Sequence, residues 1–538
     1  MAVKITREVL ESHFACKFKA HLKLSGARSV PSDYLNIIRD QDRRFKSAAE
    51  RRLIKAHSDR AVPTRVTITK SLLRAGSPLI LNATFEDEHL HLQFDGIMKV
   101  DGVSAVGPFH YVPILFHDGP TVRRPQKQLL EVYAAVLQGV QDRVPSAGIV
   151  HHRGDIAARV RLSPGAVEMQ TVLQALKKVQ EGDTPILRLN EHCQICEFRE
   201  QCHAQAVKED NISLLRGISD LEISRLRSKG IFTVNQLSYT FRSRRIAKRA
   251  KAPSTPHHFA LQALALREGK VFVHGSPTLS CPGTRAYLDI EGTPDTRSHY
   301  LIGLMTVVEH AETYHAFWAD DDTSQVNLFL NFLDQLGNEG PYSLIHYGNY
   351  ELKALRQIRH EMPLVYQSKI DEAIKNSVNL LSIIGPYIYF PTYSNSLKEI
   401  ARFLNFTWSD PLSSGLQSLA WRTRWLQGDR SYKETLLQYN RDDCIALRKV
   451  TEFIETIICA EAQNTAMAES NFVHTSALSK DKDQSSLFGK KEFVLEDFAK
   501  INECAYFDYQ RDRVFARERK TRGRRTPKTK KPEIYRTR

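Results

Sequence analysis

The stretch that decides the fold is Tyr287-Leu288-Asp289-Ile290-Glu291-Gly292-Thr293. Successive side chains of a β-strand point to opposite faces, so Asp289 and Glu291 share one face while Leu288 and Ile290 share the other. Two carboxylates on one face of a mostly apolar strand either repel each other or hold a cation. The pattern predicts a buried strand with two acids at its end, in preference to a solvated edge strand.

Two further segments supply a tyrosine and two more acids. The apolar spacing of residues 436–447 predicts a helix that carries Tyr439 and Asp443 four positions apart on one face. Residues 344–352 predict an apolar strand that turns at a glycine into a helix, with Glu351 in the first turn of that helix. We expect a phenol and four carboxylates to meet.

Together these residues resemble the DEDD exonucleases of the RNase H-like superfamily, in the tyrosine subtype called DEDDy. The resemblance assigns the D-x-E strand to Asp289 and Glu291, and the Y-x-x-x-D motif to Tyr439 and Asp443. Glu351 falls in the second motif, where it replaces the usual aspartate and lengthens one ligand by a methylene. The resemblance implies an RNase H-like fold and a 3′-5′ exonuclease.

These residue types suit the hydrolysis of a phosphodiester. The reaction needs an activated water, stabilised charge on the phosphoryl oxygens and help for the leaving oxygen, which two divalent ions about 4 Å apart supply. Mg²⁺ and Mn²⁺ prefer hard oxygen ligands, hence carboxylates. We expect Asp289 to bridge both ions. Glu291 and Asp443 would each hold one ion, Glu351 would complete the ligands, and Tyr439 would orient the attacking water.

The composition is that of a long chain with an excess of basic residues. Its 538 residues exceed what one hydrophobic core usually supports, so about three domains are expected. A net charge of +15 predicts a polyanionic partner. We expect this partner to be DNA in preference to RNA. The chain has no apolar run that could span a bilayer and no signal-peptide core, which predicts a cytoplasmic protein without membrane contact.

Four cysteines flank a domain-sized segment, one before it and three after it in a C-x2-C-x5-C cluster. They are Cys16, Cys193, Cys196 and Cys202. The split resembles the iron-sulfur RecB-like nucleases, in which a four-cysteine [4Fe-4S] cluster joins the ends of a PD-(D/E)XK fold. Zinc is the competing interpretation, with His192 or His203 as an alternative ligand, because thiolates bind either metal.

The same N-terminal domain resembles a nuclease whose site has degenerated. Asp95 lies on a predicted strand where the PD-(D/E)XK pattern has an acid, but Leu115 and His117 stand where the next strand would carry an acid and a lysine. Gln128 and Tyr133 resemble the RecB-type Q-x3-Y element with one residue too many. We interpret this domain as retained for binding and structure, with an active RecB-like nuclease as the alternative.

The combination of the two domains resembles a family of bacterial RecB-type nucleases with a fused RNase H-like exonuclease domain, over nearly all of residues 1–510. Between them, residues 214–234 predict two short helices joined at Gly230, with Ser219 as an N-cap. This resembles a helix-hairpin-helix unit, which offers backbone amides to a phosphate. The equally weighted alternative is a pair of packing helices.

Two stretches carry candidate contacts to nucleic acid. A run without any acid holds six basic residues, which suit phosphate contacts: Arg242, Arg244, Arg245, Lys248, Arg249 and Lys251. Residues 387–393 interleave aromatics ahead of a helix with Lys398, which suits a stacked single-strand end. Core packing is the alternative, and for Phe390 it is the preferred one.

The complete prediction is a multidomain α/β protein with a basic tail. Its parts are a RecB-like domain with the cysteine cluster (1–205), a helix-hairpin-helix-like basic connector (206–280), a DEDDy exonuclease domain (281–465), and a polar linker with a docking segment and a disordered tail (466–538). Residues 511–538 hold 13 lysines or arginines against three acids. The predicted activity is metal-dependent exonucleolytic hydrolysis. The alternative from another class is a nucleic-acid-binding repair or mobile-element factor with idle nuclease sites.

Overall fold

The computed structural model describes residues 4–57, 61–153, 156–162, 166–215, 217–241, 257–293, 298–308, 311–462, 472–478, 515–516 and 535–536. The chain divides into two compact units, each built from helices and sheets. The first comprises Met1–Ala206, Thr293–Ser298 and Leu412–Leu436, and the second comprises Val207–Gly292, His299–Pro411 and Leu437–Arg538. The expected α/β multidomain class is thus confirmed at this coarse level.

The N-terminal stretch contains one sheet and seven helices among its described residues. In chain order its elements are β1 (Ile5–Thr6), α1 (Arg7–Ala15), α2 (Lys17–Leu24), α3 (Asp33–Ala56), α4 (Lys70–Arg74), β2 (Leu79–Glu86), β3 (Leu90–Ser104), β4 (Gly107–His117), α5 (Arg124–Gln141), β5 (Ala147–His152), β6 (Ile156–Arg161), α6 (Ala166–Gln180) and α7 (Arg199–Lys208).

The rest of the chain continues with three further sheets. Its elements are α8 (Asp220–Ser228), α9 (Val234–Ser238), α10 (Phe259–Glu268), β7 (Val271–Val273), β8 (Thr284–Thr293), β9 (Ser298–Val308), β10 (Ala311–Trp318), α11 (Gln325–Gly337), β11 (Tyr342–His346), α12 (Tyr350–Ile358), α13 (Leu364–Lys375), β12 (Ser377–Asn379), α14 (Leu380–Tyr387), β13 (Ile388–Tyr389), α15 (Leu397–Phe403), α16 (Gly415–Leu426), α17 (Tyr432–Ala462), β14 (Phe472–His474), β15 (Phe515–Ala516) and β16 (Tyr535–Arg536).

The sheet of the first unit has the order β1-β3-β4-β5-β6, with β2 paired to β3. Helix α5 connects β4 to β5, which run parallel. One face of the sheet packs on α1 and α5 through residues such as Leu10, Leu130 and Phe94. On the other face Ala49 of α3 packs against Ile114. Because both faces are covered, the strands carry long apolar runs.

The main sheet of the second unit has the order β10-β9-β8-β11-β12, so the first of its strands lies in the middle. Strand β11 runs parallel to both β8 and β12, whereas β9 and β10 are antiparallel. Leu288 and Ile290 pack under α11, α12 and α13 in one apolar core. The intervening residues Asp289 and Glu291 therefore point to the opposite face, as the alternation predicts.

The predicted linker and tail contain described strands. Phe472–His474 pairs in parallel with β7, and Ile388–Tyr389 pairs with the other edge of β7. In the tail, Phe515–Ala516 pairs antiparallel with Tyr535–Arg536. The predicted polar linker thus contains a short strand and the predicted disordered tail contains a short strand pair, while the bounds of both segments stay a prediction. Each strand is only two or three residues long, too short for a periodic signal, and most carry an aromatic residue with high strand propensity.

The connector forms the two predicted short helices, and Ser219 caps the first by accepting from the Glu222 amide at 3.1 Å. The amides after the turn are already bonded. Val234 and Asn235 donate to the backbone and side chain of Asp210, and Thr233 donates to Gln236. A carboxylate thus occupies the place that a phosphate would take, which favours the packing-pair interpretation.

Candidate metal centre

Strand β8 brings the first two acids to the centre of the second unit. Its flanking strands β9 and β11 pair along both edges, so the backbone of β8 has little freedom to move. Asp289 and Glu291 are half-buried, while their neighbours Leu288 and Ile290 are buried in the core beneath. The position of both carboxylates is therefore fixed by the packing of the opposite face.

Strand β11 and helix α12 place the fourth acid. The chain leaves β11 at His346, turns through Gly348 at a φ of 89°, and begins α12 at Tyr350. Glu351 lies in the first turn of that helix and is 5 % exposed. Its Oε2 lies 3.5 Å from Nδ1 of the fully buried His346. A glycine is needed in this turn because other residues rarely adopt a positive φ.

Helix α17 supplies the remaining groups from the face that meets the sheet. Tyr439 and Asp443 are 4 % and 6 % exposed, and their side chains form a hydrogen bond with each other. Asn440 donates to Oδ2 of Asp289 at 2.6 Å and accepts from the Tyr314 hydroxyl at 2.7 Å. The helix is thereby joined to β8 through a side-chain network.

Three carboxylates converge. In the part of the chain that the structure describes, only Asp289, Glu291 and Asp443 bring three ligand atoms of the kind that metals use within 4.8 Å of one another. Burial raises the pKa of Asp289 well above its usual value, and the charges of the neighbouring acids raise it further. Burial also raises the pKa of Asp443. The positive charge of Lys398 acts to lower both pKa values, but burial outweighs it.

The cluster fits a divalent cation by the chemistry of its donors. All of them are carboxylate oxygens, the donors that Mg²⁺ and Mn²⁺ prefer. Among the described residues, Oε2 of the buried Glu351 has no hydrogen-bond partner. Glu351 stands outside the group of three within 4.8 Å, although its charge contributes to the raised pKa of Asp289. The three acids are thus the core of the site, and Glu351 adjoins it.

A lysine adjoins the acids through the tyrosine. The Lys398 ammonium donates to the Tyr439 hydroxyl at 3.0 Å and lies 4.2 Å from the centre of the Tyr439 ring. Burial lowers the pKa of Lys398, while the negative charges of the acids act to raise it. Trp408 donates to Oδ1 of Asp443 at 2.6 Å. Lys398 was a candidate for nucleic-acid contact, and the structure places it on the tyrosine.

Sequence reasoning did not find Asn440, Trp408 or His346. Asn440 directly follows Tyr439 and could have been suspected from the helical face, since position 440 lies next to 439 and 443. Trp408 comes from a loop without periodicity, and His346 looks like an ordinary residue of an apolar strand. Only the tertiary contacts bring these two residues to the acids.

The candidate acid of the first unit has a different environment. Asp95 accepts from the Arg7 guanidinium at 2.6 Å and from the Phe116 amide at 2.7 Å. His117 lies at the end of β4, and burial lowers its pKa. Tyr133 donates to the Gln93 carbonyl at 2.7 Å and stacks on Phe94. Both oxygens of Asp95 therefore already have partners within the chain, and one of these partners is the cation Arg7.

The four thiols lie near one another in the first unit. Burial, together with the smaller effect of the other three cysteines, raises the pKa of Cys202 to about 12. Cys16 and Cys193 accept hydrogen bonds from the amides of Lys19 and Asn190. Across the described residues, no three of the sulfurs lie within 4.8 Å of one another. His192 contacts the Lys19 ammonium at 3.1 Å, and His203 lies on α7.

The basic run of the connector lies outside the described residues. It comprises Arg242, Arg244, Arg245, Lys248, Arg249 and Lys251. Their predicted contact with phosphate stays a prediction. Among the described residues, no helix is both long enough and apolar enough to cross a membrane.

A family model of the RNase_H superfamily, RNase_H_2, matches residues 286–454. The match begins in β8 and ends in α17, so it spans the acids, the tyrosine and the lysine described above. A comparison with curated proteins finds no match to the chain. Residues 286–454 form an RNase H-like domain, which indicates a nuclease-type, metal-dependent function on nucleic acid.

Proposed function

We propose that the RNase H-like domain is a DEDDy-type exonuclease that hydrolyses phosphodiester bonds from a 3′ end, with DNA as the preferred substrate. The observation that carries this proposal is the convergence of Asp289, Glu291 and Asp443 within 4.8 Å, beside a tyrosine that hydrogen-bonds one of them. Such a cluster costs stability unless cations neutralise it, so its presence supports a metal site. The 3′ polarity rests on the resemblance to DEDD exonucleases.

Each residue of the site has a distinct role in the proposed hydrolysis. Asp289, Glu291 and Asp443 would hold the cations, and Glu351 adjoins them with an Oε2 that has no hydrogen-bond partner among the described residues. Bound Mg²⁺ or Mn²⁺ would supply an activated water and neutralise charge on the phosphoryl oxygens. Tyr439 orients the water, because its hydroxyl is fixed by Lys398 at 3.0 Å and by Asp443. The side chains of Asn440 and Trp408 hold the carboxylates in place.

The direct test measures degradation of end-labelled single strands in Mn²⁺. We expect Asp289→Asn and Asp443→Asn each to lower kcat by about 1,000-fold or more, because the ions lose a ligand. The matched control is Asp442→Asn, one residue away. Asp442 accepts from the Ser409 amide at 2.7 Å and from Gln438 at 2.8 Å, outside the cluster. If both active-site variants degrade as well as Asp442→Asn, the assignment is wrong.

The alternative with catalysis in the first unit is disfavoured by the ion pair between Arg7 and Asp95 at 2.6 Å. We expect Asp95→Asn to leave degradation unchanged. Loss of degradation in this variant, together with full activity of Asp443→Asn, would move the active site to the first unit. If no variant and no wild-type preparation degrades DNA or RNA, the alternative of a binding factor with idle sites takes its place.

For the thiols we propose a [4Fe-4S] cluster in preference to zinc. The support is the arrangement of Cys16 upstream of the C-x2-C-x5-C cluster, which resembles the iron-sulfur RecB-like nucleases. Anaerobically purified protein should be brown and contain iron, and Cys196→Ser should remove both signals. Colourless protein with one zinc per chain would show that the cysteines bind zinc and not an iron-sulfur cluster.

A further inference from the structure

Three buried polar atoms that lack a hydrogen-bond partner within the described chain lie together at the end of strand β11. Two of them are the ring nitrogens of His346, which is fully buried. The third is Oε2 of Glu351, which lies 3.5 Å from Nδ1 of that ring, too far for a hydrogen bond. Buried polar groups are nearly always hydrogen-bonded, because an unpaired one loses its contacts with water and gains nothing in return. This pair therefore needs an explanation.

The surroundings of His346 are those of an apolar core. Alternation along β11 places it on the same face as Tyr342 and Leu344, and both of these residues pack in the core under α11, α12 and α13. A leucine or a methionine would fill such a position without leaving any polar atom unpaired. Packing alone thus does not account for an imidazole at this position.

The backbone between the imidazole and the glutamate is held by hydrogen bonds. The Gly348 amide donates to Oδ1 of Asn379 at 3.0 Å, and the Tyr347 hydroxyl donates to the Asn395 carbonyl at 2.6 Å. The end of β11 and the first turn of α12 are therefore fixed relative to each other. Rotation of the Glu351 side chain is then the simplest movement that shortens its contact with the imidazole.

Glu351 lies near the three clustered acids without being one of them. Burial raises the pKa of Asp289 and the charge of Glu351 adds to this, yet Glu351 stands outside the group whose ligand atoms lie within 4.8 Å of one another. A carboxylate has two oxygens, so one can accept from an imidazole while the other faces a cation. Carboxylates that bind metals are commonly hydrogen-bonded in this way by a further residue, which fixes their orientation.

We propose that His346 is a positioning residue for the metal site, which donates a ring N–H to Oε2 of Glu351 and directs the other oxygen of this carboxylate at a bound cation. The inference rests on the proposed function and deepens it. An imidazole has at least one ring N–H to donate. The proposal accounts for a glutamate at position 351, because its side chain is one methylene longer than that of aspartate and reaches both the imidazole and the cation. The imidazole itself does not touch the metal.

The test measures Mn²⁺ binding to the full chain by calorimetry in the absence of nucleic acid. We expect His346→Leu to weaken binding about tenfold, because the glutamate loses its orientation. His346→Gln should bind within about threefold of wild type, since its amide keeps an N–H donor at this position.

The matched control is His474→Leu. His474 is also a buried histidine, and its Nε2 has no hydrogen-bond partner among the described residues. It lies on β14, however, in the sheet that β14 forms with β7 and β13. This control should bind Mn²⁺ as tightly as wild type does.

A cycle of variants tests whether the two residues act together. Glu351→Gln should weaken Mn²⁺ binding about tenfold, and adding His346→Leu to it should cause no further loss, because both changes remove one interaction. Independent losses that multiply in the double variant would overturn the proposal. A nitrogen coupling from His346 in the electron spin echo spectrum of bound Mn²⁺ would overturn it as well, because the imidazole would then be a ligand.

A purely structural role of His346 gives a different result. It lowers the Tm of His346→Leu in EDTA and leaves the dissociation constant of Mn²⁺ unchanged, and this outcome contradicts the proposal. Should His346→Leu not fold, His346→Met takes its place, because methionine adapts to irregular space and has no N–H to donate.

The two proposals fail separately, because metal binding and hydrolysis are measured apart. Wild-type protein that binds Mn²⁺ with the expected dependence on His346 but degrades no nucleic acid keeps the pair and loses the exonuclease. Protein that degrades DNA while His346→Leu binds Mn²⁺ as tightly as wild type keeps the exonuclease and loses the pair.

Discussion

At the scale of single residues, Lys398 and Tyr439 form one hydrogen-bonded pair. The ammonium donates to the phenol at 3.0 Å and lies over its ring at 4.2 Å. A phenol hydroxyl rotates about its C–O bond, and a fixed donor on one side leaves its own hydrogen directed elsewhere. Lys398 is therefore a positioning residue for the hydroxyl that faces Asp443.

We expect Lys398→Met to lower kcat about 100-fold with little change in KM, because proton positioning is lost while the carboxylates stay. Lys449→Met serves as the control, since Lys449 lies on helix α17 with Tyr439 and donates to the Asn405 carbonyl instead. A change in KM alone would show that Lys398 binds the nucleic-acid substrate, as the sequence first indicated.

The repulsion between the acids makes a separate prediction about stability. Burial raises the pKa of Asp289, so the folded protein keeps a proton there at pH values where the unfolded chain has lost it. Stability then falls as pH rises above about 4, the ordinary pKa of an aspartate, towards the raised value. We expect the Tm of Asp289→Asn in EDTA to exceed that of wild type by a margin that grows across this window.

Addition of Mn²⁺ should make the Tm of wild type higher than that of Asp289→Asn. The cation binds the folded wild-type protein more tightly than it binds the folded variant, and so stabilises it more. The measurement is thermal unfolding of both proteins at a series of pH values, with and without metal. A difference in Tm that does not depend on pH would show that the acids do not repel each other in the folded state.

At the scale of elements, the close contact of α17 with β9 depends on Gly303. A Cβ at this position would overlap Oδ1 of Asn440 and lie 3.1 Å from the Tyr314 ring. These are the groups that join the helix to Asp289. Gly303 therefore lets the strand approach the network that orients the first acid.

We expect Gly303→Ala to reduce the free energy of unfolding by about 1–3 kcal/mol, because the core at this point has no room for a methyl group. Gly337→Ala should be neutral or stabilising, since its Cβ meets nothing within 4 Å. Urea unfolding of both variants distinguishes them. Equal stability of the two would mean that α17 shifts away from β9 without cost.

The elements that the sequence predicted well are those with a regular period. Strand β8 alternates apolar and acidic residues, and the segment around Tyr439 has helical spacing, so both could be read from the chain alone. Trp408 could not, because it comes from a loop and contacts Asp443 only in the folded protein, whereas Asn440 could have been suspected from its place on the helix beside Tyr439. The three-residue strand Phe472–His474 also escaped prediction, since β7, its partner, lies about 200 positions earlier in the chain.

The whole molecule has two candidate sites whose carboxylates have different charged neighbours. In the second unit three acids face one another, whereas in the first unit Asp95 is paired with Arg7. The sequence indicated this contrast through the missing acid and lysine at Leu115 and His117. It could not indicate Arg7, which lies 88 positions from Asp95 and belongs to a helix.

The basic excess makes a prediction for the full chain. Residues 511–538 carry 13 of the lysines and arginines and three acids. Replacing these basic residues by glutamine should weaken binding to nucleic acid at low salt. It should also flatten the plot of log affinity against log salt, because fewer counterions are released. An unchanged slope would assign the salt dependence to the folded units.

The ion pair between Arg7 and Asp95 has a consequence for ion binding in the first unit. The Arg7 guanidinium is part of the chain and does not exchange with ions in solution. A higher magnesium concentration therefore does not displace it from Asp95. An acid or a lysine introduced on the neighbouring strand would still meet an Asp95 that is already paired with Arg7. A metal site at Asp95 would therefore require the loss of Arg7 as well as that new side chain, which is at least two substitutions.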